Sequence, residues 1–193
     1  MLGVIRTVVA KAPFYVATMP VSGKPLSVRM TNCGPLGWLT DKQGGYRYQA
    51  THPGTGRPWP PIPKLLLDLW SDVSGHAAPP EACLINFYAE SARMGSHRDV
   101  DEQDLLAPVV SVSLGDDAVF HIGGLARSDP KRRLVLKSGD VVVLGGQARL
   151  AYHGVDRVLA GTSDLLPEGG RINLTLRRVH SAAAASPAGG ASV

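Results

Sequence analysis

From about residue 80 onward the chain is organised by short apolar runs and two-residue alternation. Residues 82–88, 108–114, 118–122, 133–136, 140–144 and 172–178 each read as a strand bounded by turn residues. Gly115-Asp-Asp and Ser138-Gly139 predict tight turns between them. Just before this region the period changes. Leu65, Leu66, Leu69, Trp70 and Val73 recur at helical spacing, with Gly75 placed to stop the helix. The first third is different again. Gly34-Pro35, Gly44-Gly45, Pro53-Gly54 and the run Arg57-Pro-Trp-Pro-Pro-Ile-Pro break it up, and Trp38, Tyr46, Tyr48 and Trp59 sit among the breakers. Such a stretch reads either as a binding loop or as an irregular packed edge. Many short strands without helices between them predict a sandwich or barrel, of which the double-sheet jelly roll is a common enzyme form.

Composition narrows this picture modestly. A chain of 193 residues, 44% hydrophobic, can build one domain with a proper core. Its net charge of +4 is compatible with an anionic partner but does not demonstrate one. Cys33 and Cys83, with no Cys-x-x-Cys pairing, indicate neither a disulfide framework nor a zinc site, and a reducing interior is expected. No run approaches the roughly 20 apolar residues that cross a bilayer. The apolar patch in residues 1–12 lacks the long core and cleavage pattern of an export signal, so a cytoplasmic location is expected. Residues 181–193, rich in Ala, Ser and Gly, are expected to form a disordered tail.

Three patterns carry chemistry. His97 and Asp99 are two apart, so on extended chain their side chains point the same way and can grip one ion. Alone the pair is weak, and the acidic run continuing to Asp104 allows a solvated loop instead. His153, between Tyr152 and Gly154 after an apolar strand, is a packed histidine or a distant third ligand. Two His and one carboxylate leave three metal positions open, the arrangement of non-haem Fe(II) oxygenases. His52 and His76 lie in Pro/Gly-rich loops, His121 alternates within a strand and His180 borders the tail.

In the third pattern, Arg171, Asn173, Thr175 and Arg177 share one strand face, with Ile172, Leu174 and Leu176 on the other. This is a charged edge strand or a clamp. The planar fork of Arg meets a carboxylate with two parallel hydrogen bonds, so a dicarboxylate cosubstrate suits the pair. The two arginines lie about 20 Å apart along the backbone. One can hold the distal carboxylate of 2-oxoglutarate while the other serves the metal end. Asn86 and Tyr88, also alternating, can add neutral hydrogen bonds.

Taken together, several stretches resemble the AlkB family of 2-oxoglutarate- and Fe(II)-dependent nucleic-acid demethylases. They are Pro80-Glu-Ala-Cys-Leu-Ile-Asn-Phe-Tyr88, His97-x-Asp99, Val110-Ser-Val-Ser-Leu-Gly115, Gly139-Asp-Val-Val-Val143, Tyr152-His-Gly154 and Arg171-x-Asn-x-Thr-x-Arg177, with Met30-Thr-Asn-Cys-Gly34 and Gly37-Trp38. The resemblance runs from about residue 13 to 178. It implies a mainly β jelly roll (double-stranded β-helix) with a flanking helix and a loop-rich N-terminal nucleotide-recognition lid. As a single dioxygenase domain over residues 1–180, it would place the lid near 20–62 and the catalytic core near 80–178.

The same resemblance implies that His97, Asp99 and His153 bind iron, and that Asn86, Tyr88, Arg171, Asn173 and Arg177 hold 2-oxoglutarate. Trp38 would stack on the damaged base opposite the ring of His97. Tyr46 and Tyr48 would steady the lid and the phosphate backbone, Asp101 would face the polar edge of the base, and Arg127 would line the substrate site. The implied reaction consumes O₂ and 2-oxoglutarate, yields succinate and CO₂, and releases formaldehyde from 1-methyladenine or 3-methylcytosine. Single-stranded DNA is the expected partner, with double-stranded DNA and RNA as alternatives, and nothing points beyond a monomer. Two rivals stand beside this reading: an oxygenase of protein side chains or small metabolites, and a catalytically silent nucleic-acid-binding relative. The chain begins only a dozen residues before the first matched segment, so an N-terminal element of the family is expected to be absent or mis-started. Residues 160–169 match nothing and carry no expected role.

Overall fold

The computed structural model describes residues 1–181. Within it the alternating segments close into two antiparallel sheets. The strands are β1 (Arg29–Cys33), β2 (Gly37–Asp41), β3 (Gly45–Gln49), β4 (Ala82–Tyr88), β5 (Met94–His97), β6 (Val109–Gly115), β7 (Asp117–Ile122), β8 (Arg132–Leu136), β9 (Val141–Leu144), β10 (His153–Leu159) and β11 (Arg171–Arg177). A five-stranded sheet runs β1-β4-β11-β6-β9 and a four-stranded sheet runs β5-β10-β7-β8. This is the jelly roll that the spacing of short strands predicts. Apart from Ser181, the expected tail lies outside the described residues.

The two faces of the larger sheet divide the work. Cys83, Ile85, Val110, Val112, Leu174 and Leu176 turn outward onto α1 (Leu2–Lys11) and α2 (Lys64–Val73), meeting Ile5, Val8, Leu66 and Trp70. Burying each large apolar side chain contributes about 1.5–3 kcal/mol, so this face alone anchors β4, β6 and β11. On the inner face Leu84 and Tyr88 pack with Phe120, Leu136, Val155 and Val158 of the smaller sheet. The remaining inner positions, among them Asn86, Ser111, Asn173 and Thr175, are polar and line a cavity. The strict alternation of β11 therefore separates anchoring from chemistry.

The α2 helix matches its predicted span and ends as expected, with Ser74 still helical and Gly75 at φ +64, a left-handed turn that favours glycine. Other elements were not expected. Residues 2–11 form a helix, because Ile5 and Val8 find an apolar sheet face to cover. The region expected to be loop holds β1, which pairs with β4, and the β2–β3 hairpin. The hairpin turn is built by Asp41, whose Oδ1 accepts from the N–H groups of Gln43 and Gly44 and whose Oδ2 pairs with Arg47 at 2.6 Å. Residues 160–169 are held by Asp116, whose carboxylate accepts from the backbone N–H of Thr162, Ser163 and Gly170.

Candidate active site

β5 and β10 are paired with His97 opposite His153, and their imidazole centroids lie 4.5 Å apart. Asp99 follows β5 at once, and the ligand atoms of His97, Asp99 and His153 all fall within 4.8 Å of one another. The tautomers follow from the backbone. His97 Nδ1 lies 2.9 Å from the carbonyl of Gly95, and His153 Nδ1 lies 3.0 Å from that of Ala151. A carbonyl can only accept, so each Nδ1 carries the proton and each Nε2 presents a lone pair. Burial and the neighbouring His97 pull His153 down to about 4, which keeps the ring neutral and ready to ligate.

Burial pushes the Asp99 carboxyl up, but Arg177, His153 and His97 outweigh it and hold it below the usual carboxylate range. Its Oδ1 accepts from Arg177 Nη2 at 2.9 Å, and its Oδ2 is buried without a hydrogen-bond partner among the described residues. An ionised oxygen left bare beside two imidazole lone pairs is costly unless a cation completes it. The donor set of two neutral N and one anionic O fits Fe(II).

The second arm of the cavity is cationic. Arg171 is buried, donates to Ser113 Oγ at 2.6 Å, keeps Nε unsatisfied and makes no ion pair among the described residues. Burial lowers its pKa, against the pull of Tyr88. Arg177 carries two further nitrogens, Nε and Nη1, without a hydrogen bond among the described residues. The register sets Asn173 opposite Asn86 and Arg171 opposite Tyr88, so all five residues expected to hold the cosubstrate share one wall. Burial pushes the Tyr88 phenol up to about 12, with Arg171 and Arg177 pulling it back, so it stays a neutral donor. Unpaired buried guanidinium next to neutral donors is the complement of a dicarboxylate.

At the mouth, Trp38 and Tyr46 of the hairpin stack at 5.8 Å and 25°. Trp38 Nε1 donates to Asp101 Oδ2 at 2.7 Å. Arg127 also lines the cavity and lies over the Tyr152 ring at 5.2 Å, with Arg98 over the same ring at 5.3 Å. One space of about 720 Å³ joins the triad, the arginine arm and this mouth. Tyr48 is set apart from it. Its hydroxyl donates to Glu102 Oε1 at 2.5 Å, so it braces the hairpin from behind the cavity wall.

Glu102 and Arg149, which the sequence did not single out, complete the site. Glu102 and Asp104 belong to the acidic run for which a solvated loop was an alternative, yet both are buried. Glu102 Oε2 meets Arg149 Nη2 at 3.0 Å, and its Oε1 lies 3.4 Å from Arg177 Nε. Arg149 also donates to the carbonyls of Asp99 at 2.7 Å and Ala107 at 2.8 Å. Two carboxylates and two guanidinium groups thus form a neutral ionic cluster behind the metal site. Of the other histidines, His121 is buried against Asp156 at 2.7 Å and His52 is buried against the carbonyl of Pro13, so neither joins the site.

Comparison with known proteins matches this geometry. The model of the 2OG-Fe(II) oxygenase superfamily matches residues 2–177. The chain is 59% identical over 160 residues to an alpha-ketoglutarate-dependent dioxygenase AlkB homolog of Caulobacter vibrioides, covering 83% of this chain and 72% of that one. It is 47% identical over 178 residues to alpha-ketoglutarate-dependent dioxygenase AlkB of Escherichia coli, covering 90% and 81%. The solved structure of OsALKBH1 superposes with a TM-score of 0.75 at 32% identity, covering 91% of this chain and 90% of that one. With its cation-ready triad and dicarboxylate wall in place, the chain belongs to the AlkB family of Fe(II)- and 2-oxoglutarate-dependent dioxygenases.

Proposed function

We propose that this enzyme oxidatively removes N-linked methyl groups from nucleobases, with 1-methyladenine and 3-methylcytosine in single-stranded DNA as its substrates. The observation that carries the reading is the continuity of one cavity from the triad to an aromatic and carboxylate mouth. Relatives with activity-bearing names point the same way, among them a DNA N(6)-methyladenine demethylase of Arabidopsis thaliana and a tRNA demethylase of Schizosaccharomyces pombe.

In this reading His97, Asp99 and His153 hold Fe(II), and Asn86, Tyr88, Arg171, Asn173 and Arg177 hold 2-oxoglutarate. The bound iron, 2-oxoglutarate and O₂ supply the oxidising chemistry, which gives succinate, CO₂ and a hydroxymethyl group that leaves as formaldehyde. Arg177 fixes one oxygen of Asp99 and so orients the other toward the metal. Arg171 anchors the far carboxylate in a dry arm where its charge is not screened. Trp38 stacks on the extruded base opposite His97, Asp101 accepts from its polar edge, and Arg127 and Tyr46 border the strand. Tyr48 acts on the lid through Glu102.

The substrate class has a physical logic. Both bases are methylated on the pairing edge, so they unpair cheaply, and both carry positive charge, which suits an indole face and a carboxylate. Stacking favours single strands, in which base faces are already available. Within the domain, residues near 20–62 act as lid and residues near 80–178 as core. We read the chain as a cytoplasmic monomer. The two free thiols, Cys33 and Cys83, suit a reducing compartment, and no described helix is long and apolar enough to cross a membrane.

The test is product stoichiometry. Iron-loaded protein is given O₂ and 2-oxoglutarate, with or without a single-stranded oligonucleotide bearing 1-methyladenine. Formaldehyde equal to succinate, and only with the methylated strand, is the expected result. Succinate without formaldehyde would keep the oxygenase and reject the nucleobase.

A further inference from the structure

Trp38 is fixed from below. Asn32 of β1 is fully buried, donates from Nδ2 to the Trp38 carbonyl at 3.1 Å and accepts the Trp38 N–H at 3.1 Å. Tyr15 Oη donates to the same carbonyl at 3.4 Å, and Tyr46 covers the indole face to face. The position of the indole is thus set by β1 and the hairpin. Asp101, in contrast, is an exposed residue of the loop after β5, and the indole N–H at 2.7 Å is the hydrogen bond on its side chain among the described residues.

We infer that the indole N–H of Trp38 orients Asp101 and thereby makes it selective for bases that carry an amino group beside the methylated nitrogen. Trp38 is in this respect a positioning residue, separate from the stacking role of its ring. The inference rests on the nucleobase reading above. With Oδ2 engaged by the indole, Oδ1 is the acceptor left for substrate. An exocyclic amine, as in 3-methylcytosine, donates to it. A base whose methylated nitrogen is flanked by carbonyls, as in 3-methylthymine, sets oxygen against carboxylate and is repelled. A carboxylate free to rotate and hydrate discriminates less, because either oxygen can turn to water and leave the carbonyl unopposed.

The test compares kcat/KM on single-stranded oligonucleotides bearing 3-methylcytosine or 3-methylthymine. The proteins are the parent, Trp38→Phe, Asp101→Asn and the double variant, with thermal melting as a control for folding. Phe keeps an aromatic plane and removes the N–H. The preference for 3-methylcytosine is expected to narrow about tenfold in Trp38→Phe, the scale of one hydrogen bond to a charged group. In the Asp101→Asn background the same change is expected to affect both substrates alike. An equal fall on both substrates in the single variant would overturn the inference, as would the same narrowing in both backgrounds. Absence of formaldehyde from either oligonucleotide with the parent protein would instead defeat the nucleobase reading, and the inference with it.

Discussion

Asp101 and Glu102 are consecutive residues at one loop, yet the protein treats their carboxylates in opposite ways. Glu102 has only 1% of its side chain exposed and is gripped by Tyr48, Arg149 and Arg177. Asp101 stands exposed at the mouth, and among the described residues its side chain has a single hydrogen-bond partner, Trp38. The partners themselves are neighbours, since Trp38 faces Tyr48 across the β2–β3 ladder. The wall behind the triad is therefore enclosed and cross-linked by ion pairs among Asp99, Glu102, Arg149 and Arg177, which set its geometry before any ligand arrives. The mouth is wet and lightly tied, so its groups can exchange partners with a substrate. Preorganisation is concentrated around His97, Asp99 and His153.

The sharpest break in that contrast is at the inner end. Asp99→Ala removes one of three ligand atoms and leaves Arg177 without its closest partner. Iron binding and succinate formation are both expected to be lost, while affinity for a methylated oligonucleotide, measured by fluorescence anisotropy, persists. Retained turnover would move the metal elsewhere. Next in size, Arg149→Met leaves the buried Glu102 carboxylate short of one cation, which costs about 3–5 kcal/mol. Asp101→Ala, one residue from Glu102, is expected to change stability by about 0.5 kcal/mol or less. Urea denaturation of the two variants measures the difference directly, and equal losses would erase the distinction between the two ends.

At the mouth the effect falls on turnover. Trp38→Ala is expected to lower demethylation of a methylated strand about tenfold, on a stacking contribution of about 1–3 kcal/mol. Slow succinate release without nucleic acid is expected to continue, because the polar partner of the indole is Asp101 at the mouth, outside the triad and the Arg171–Arg177 strand. Parallel loss of both activities would place Trp38 in the inner end.

The sequence revealed these two ends unequally, and the reason is physical. Strand β11 was legible because Ile172, Leu174 and Leu176 alternate with Arg171, Asn173, Thr175 and Arg177, and alternation is a local property. The α2 helix was legible through its leucine spacing. Glu102 looked like one more charge in an acidic run, since its partners Tyr48 and Arg149 lie 54 and 47 residues away and meet it only in the fold. Arg149 lies just past a three-residue 3₁₀ turn with no period to mark it. Likewise α1 is rich in β-branched Val and Ile, which have weak helix preference, and it forms on the sheet that it covers. The His-x-Asp pair and the alternation of β11 are local signals that the sequence displays. The ionic cluster behind them, Glu102 and Arg149 with Asp99 and Arg177, is a tertiary property.

A third carboxylate tests whether burial or partner count separates the two ends. Glu81, with 17% of its side chain exposed, accepts from the backbone N–H of Val179 and His180, lies 2.9 Å from His180 Nδ1 and 3.4 Å from Arg178 Nε. It is as well supplied with partners as Glu102 and more accessible. Burial raises its pKa, but the His180 and Val179 donors and Arg178 outweigh that and leave it below the ordinary glutamate value. A depressed folded-state value means that its stabilisation is complete above about pH 4.3, the unfolded value, and is lost as the pH falls through the folded value. Glu81→Gln is therefore expected to melt below the parent at neutral pH, by about 1 kcal/mol or less for a partly exposed group. The two melting curves should converge as the pH drops below about 4. The carboxylates common to both proteins cancel in that difference. A gap that stays constant with pH would show that Glu81 acts through shape alone, and that partner count without burial does not make a carboxylate part of the rigid end.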